Sequence, residues 1–150
     1  MKGRFAAVFF IVGACAVVTG GLVAAITGPL ALSSGSWVAA YLVLVVGVAQ
    51  CAFGVAQAVL APRPLSQTLF WVELGCWNVG SAAVIAGTLI AHPLVVDVGG
   101  VMLVITLALL LRTTFRSGST RRWLLWAYRA LIVVLLVSIP IGLTIAAVRA

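Results

Sequence analysis

At 150 residues, 65% hydrophobic and 7% charged, the chain lacks the composition of a water-soluble domain, in which about a quarter of residues are charged. Nine basic residues against two acidic ones give a net charge of +7. In a soluble chain that excess would point to nucleic acid; here sidedness in a membrane and attraction to anionic inner-leaflet lipid account for it, so no nucleic-acid partner is expected.

Five apolar runs set the predicted elements, an all-α bundle of transmembrane helices over about 5–27, 37–60, 68–91, 93–111 and 123–148 in a single domain, 1–150. The first begins at the basic start MKGR and could be misread as a signal peptide with a lipoprotein box ending at Cys15. A cleaved signal gives way to polar sequence, whereas this run stays apolar to Ile26, long enough to span at about 20 residues. The second starts near Trp37 and Tyr41, rings suited to a membrane interface. It stops at Pro62 and Pro64, which lack the amide proton that a helix needs.

The third and fourth are separated by His92-Pro93 alone, which predicts a tight antiparallel hairpin with Pro93 at the first helical position. Asp97 is placed in the first turn of the fourth helix, where the dipole favours negative charge. That helix reads as the shortest span, and Pro140 predicts a kink in the outer half of the fifth.

The breaks alternate in charge. Lys2 and Arg4 precede the first run, Arg63 lies in the second break, and Arg112, Arg116, Arg121 and Arg122 fill the fourth; the breaks at 28–36 and 92–93 carry no Lys or Arg. Cytoplasmic loops collect Lys and Arg, so the N-terminus is expected inside and the C-terminus outside, with Arg149 alone against the rule. No internal repeat is present, and five helices do not divide into the two equal inverted halves of many transporters.

Small and polar residues recur on single faces: Gly47, Gln50, Gly54 and Gln57 in the second helix, and Glu73, Cys76, Gly80, Ala83 and Gly87 in the third. Such stripes are packing seams or the lining of a polar cavity, and either reading makes these two helices neighbours. Glu73 is the one acid inside a span. A carboxylate there must be paired, protonated or facing water, and Arg129 lies at a comparable depth on the fifth helix. An intramembrane cluster of Gln57, Glu73 and Arg129, rimmed by Trp71, Trp77 and Trp126, is therefore expected. It is either a structural ion pair, with Arg129 alternatively snorkelling to lipid phosphate, or a proton or substrate site. Asn78 and Gln50 would continue any pathway from it.

At the outer surface His92, the lone histidine, and Asp97 fall short of a metal site, and His92 is expected to cap the turn. Cys15, Cys51 and Cys76 lie within helices without C-x-x-C spacing and read as small packing residues. No nucleophile elbow, phosphate loop or paired-carboxylate arrangement occurs, so neither an enzyme nor a cofactor or metal is expected.

The run WNVGSAAVIAGTLIAHPLVVDVGGVMLVITLALLL, with the basic loop and WAYRALIVVLLVSIPIGL after it, resembles uncharacterised small multi-helix membrane proteins of bacteria. Over about residues 71–145 it is also similar to helix pairs of NnrS-type haem–copper membrane proteins. The metal-binding histidines of that family have no counterpart here, so the resemblance brings no site. Together with an Ala, Val, Gly and Arg bias, it implies the inner membrane of a bacterium. The expected role is that of a non-catalytic accessory or assembly subunit in a larger membrane complex or homo-oligomer. The alternatives are a transporter for a small solute, ion or proton that uses Glu73, and an electron-transfer or metal-handling subunit.

Overall fold

The computed structural model describes residues 2–60, 66–115 and 122–149, with side chains described for 3–60, 66–112 and 123–139. The chain is all-helical. Five helices follow in order: α1 (Lys2–Thr27), α2 (Gly35–Leu60), α3 (Gln67–Leu89), α4 (Pro93–Phe115) and α5 (Arg122–Arg149). The first four are long and apolar enough to cross a membrane, and the chain is a multi-pass membrane protein. In α5 the apolar stretch with described side chains is Trp123–Ile139; at 28 residues the helix is about 42 Å long. The helix continues past Pro140, whose side chain lies outside the described residues, as do Arg63, Arg116 and Arg121.

The predicted boundaries hold within a few residues. Pro93–Arg112, at 20 residues, is the shortest of the four candidate spans, as expected, and the helix that carries it is 23 residues long, the same as α3. Hydropathy fades at Leu111, but Arg112 is a good helix former and the backbone winds on to Phe115.

The chain divides into two compact units, residues 1–59 and 60–150. In the first, α1 leaves its helix through Ala31, whose φ is 49°. The amide of Leu32 donates to the carbonyl of Thr27 at 3.0 Å and that of Ala31 to Gly28 at 3.1 Å, the pair of bonds that closes a helix around one left-handed residue. The chain then returns as α2. The two helices meet backbone to backbone: a methyl on Gly13 would sit 2.8 Å from the Gly47 carbonyl, and one on Gly54 2.9 Å from the Ala6 carbonyl. No side chain fits there. Cys51 packs into the same seam, its Sγ 3.6 Å from the Phe10 carbonyl oxygen.

The second unit repeats this construction at the predicted α3–α4 hairpin. Ala91 is left-handed at φ 52°; the amide of His92 donates to Gly87 O at 2.8 Å and that of Ala91 to Thr88 O at 3.3 Å. His92 therefore does close the turn, through its backbone rather than its ring. Pro93 opens α4, and a methyl on Gly99 would lie 2.6 Å from the Gly80 carbonyl. Helix α5 packs on α4. The buried aliphatic ridge of this unit is Leu103, Leu107 and Leu110 of α4, with Ile132 of α5 and Phe70 and Trp77 of α3 also buried.

The glycines of both stripes are thus packing positions, but each set is seated on its neighbour in sequence. Gly47 and Gly54 face α1; Gly80 and Gly87 face α4. Periodicity marks the face of a helix, not the helix that covers it.

Candidate functional site

In α3 the residues at 73, 77 and 81 stand one above another at four-residue spacing, and all three are buried: Glu73, Trp77 and Ser81. Ser66 caps the start of this helix by accepting a bond from the amide of Leu69 at 3.2 Å, which fixes where the face points. Glu73, six residues beyond Gln67, lies about 9 Å along the helix, and its exposure is 0%. A wholly buried carboxylate on a membrane helix is expensive and implies a specific environment.

Part of that environment is Tyr128 of α5, buried and close enough for the charge of Glu73 to act on its phenol. Arg129 follows it by one residue and is half-buried. None of these three stands free. Tyr128 was not among the expected site residues, and the sequence holds no signal for it, since a residue one step from Arg129 points about 100° away around the helix. Gln57 is buried as expected and belongs to the first unit.

The tryptophan rim is corrected by the structure. Trp77 lies inside, while Trp71 points outward, and Trp126 is 68% exposed at the helix surface. Trp71 instead packs edge-on against Phe70, ring centres 5.0 Å apart. An indole at the edge of a membrane gains from contact with lipid headgroups, which explains the outward choice.

Asn78 spends its amide within its own helix, donating from Nδ2 to Leu74 O at 2.8 Å, and is half-buried. Thr106, buried on α4, donates in the same way to Met102 O at 2.9 Å. Asp97 and His92 are both exposed. Asp97 is the fifth residue of α4, so it lies beyond the first turn and not in it; the dipole interaction fades over that distance. Among the described residues no three of His, Cys, Asp and Glu group as metal ligands. Of the cysteines, Cys51 is half-buried in the α1–α2 seam, Cys76 is half-buried and Cys15 faces outward. Trp37 and Tyr41 stack obliquely at 5.5 Å near the start of α2.

A groove of about 360 Å³ runs between the C-terminal half of α1 and the start of α2, walled by Gly20, Gly21 and Ala24 on one side and Ala39, Ala40 and Val43 on the other. Its walls are almost wholly apolar, so it suits hydrocarbon and offers nothing to orient a polar solute. Compared with protein-family models, curated proteins and solved structures, the chain matches none.

The arrangement therefore supplies one buried acid beside a phenol, with an arginine next in sequence. These groups can hold two helices in register or exchange a proton.

Proposed function

We propose that the protein is a non-catalytic accessory or assembly subunit of a larger membrane complex, in the cytoplasmic membrane of a bacterium, N-terminus inside and C-terminus outside. The observation that carries this reading is the outward face of α3. A methyl on Gly75 would meet nothing within 4 Å, and Asn78, half-buried in the middle of the span, keeps its carbonyl oxygen for a further partner. A glycine inside a helix costs about 0.5–1 kcal/mol relative to alanine, and nothing among the described residues uses the space it leaves. Small residues and amides on membrane helices serve close approach and cross-linking by other helices.

The test is mild extraction of a C-terminally tagged copy from its native membrane, with the stoichiometry of co-purifying chains measured for wild type and for Gly75→Leu. A fixed-ratio partner that Gly75→Leu releases supports the reading. A monomer, or an oligomer of this chain alone, overturns it.

A second reading, a transporter of a small solute, ion or proton, is favoured by the complete burial of Glu73 beside Tyr128. It requires flux driven by membrane potential in proteoliposomes that Glu73→Gln abolishes; flux that survives the substitution removes Glu73 from the mechanism.

A further inference from the structure

Helix α2 is not α-helical throughout. Gly35–Tyr41 is α, Leu42–Ala49 is π, and the α form resumes at Gln50 and continues to Leu60. In a π segment each amide reaches back five residues instead of four. When the α form resumes, the register shortens by one, and one carbonyl in the preceding turn is passed over. That turn ends at Gln50.

Gln50 is itself 0% exposed, and neither Nε2 nor Oε1 of its amide has a hydrogen-bond partner among the described residues. It lies fifteen residues from Gly35 and ten from Leu60, so about 22 Å and 15 Å from the two ends of the span. The buried residues beside it on α2 are apolar: Val46, Ala49 and Phe53. A primary amide with donors and acceptor both unsatisfied in such surroundings is costly and needs an explanation. A lipid headgroup is too far away, and a second subunit has no surface of Gln50 to touch. The guest must be small, and it must offer both a donor and an acceptor.

We infer that Gln50 and the π-to-α junction of α2 form a binding site for a water molecule in the middle of the membrane span. Nε2 donates to the water, Oε1 accepts from it, and the carbonyl passed over at the junction supplies a third bond, the usual number for a buried water. The π segment has a purpose on this account: it widens the helix where the guest sits, as π turns do at functional positions in other helices.

The chain has three glutamines, Gln50, Gln57 and Gln67, and Gln67 at the start of α3 is exposed. The experiment is magic-angle-spinning NMR on protein labelled with ¹⁵N-glutamine in lipid bilayers, with magnetisation transferred from water to the side-chain amides. Comparison with Gln57→Met and Gln67→Met identifies the Gln50 resonance without altering Gln50. The expected result is that Gln50 receives water magnetisation on the timescale of Gln67. Transfer absent, or far slower than to Gln67, would overturn the site. Thermal unfolding of Gln50→Met gives an independent reading: an unchanged or lower Tm is expected, because the bonds to water are lost, and a rise of several degrees would show the amide to be a true orphan.

Discussion

A buried carboxylate in a membrane helix is defined by what surrounds it, and the neighbour that the charge of Glu73 acts on is the Tyr128 phenol, with Arg129 next to it in sequence. If Glu73 and Arg129 form one charged unit, removing either charge strands the other, and removing both is less harmful than the sum. Glu73→Gln and Arg129→Gln are each expected to destabilise the protein, and the double variant should fall short of additivity by about 0.5–3 kcal/mol. Unfolding in mild detergent measures all four corners of the cycle, and additive losses would dissolve the pairing. The turn residues allow a test of opposite sign. Ala91 holds a left-handed φ of 52°, a conformation that costs a residue with a Cβ about 1–2 kcal/mol. Ala91→Gly removes that strain but loosens the unfolded chain. The expected balance is a gain of up to about 1 kcal/mol, read as a higher Tm; a loss would mean that the Ala91 methyl packs usefully in the turn.

At the level of the helices, glycines of one sequence type do opposite work. Gly99 faces the Gly80 carbonyl at a distance that admits no methyl, while Gly75 faces open space. Gly99→Ala should force α3 and α4 apart at a cost of about 1–3 kcal/mol. Gly75→Ala should leave the isolated chain unchanged or up to about 1 kcal/mol more stable. Thermal unfolding of the two variants side by side decides it, and equal losses would mean that Gly75 is packed after all. This contrast was not legible in the sequence, where both are glycines in apolar helices. The spans themselves were legible, since length and apolarity set them, and so was the hairpin at Pro93, because proline admits few positions in a helix. That Glu73 needs a special environment could be read from its place inside a span; that it is wholly buried could not. The orientation of Trp71 and Trp126 could not: helices apolar on all sides carry no stripe to mark inside from outside. Nor could the π segment, because Leu42–Ala49 has the composition of any apolar helix.

For the whole molecule, the open question is sidedness, and here charge outweighs every other feature. Four arginines, Arg112, Arg116, Arg121 and Arg122, fall between the apolar parts of α4 and α5, and none falls between α1 and α2 or between α3 and α4. Each charge held on the cytoplasmic face gains from anionic lipid, about 1 kcal/mol near the surface, so this one connection outweighs Arg149 at the far end of α5. With Cys15, Cys51 and Cys76 replaced by alanine, Ser34→Cys and His92→Cys should react with a membrane-impermeant maleimide in intact cells. Ser117→Cys should react only after the membrane is opened. The reverse pattern would invert the protein. Changing the four arginines together to glutamine should then yield a mixed population in which Ser117→Cys is partly labelled from outside. If it stays fully protected, the orientation is set by Lys2, Arg4 and Arg63 instead.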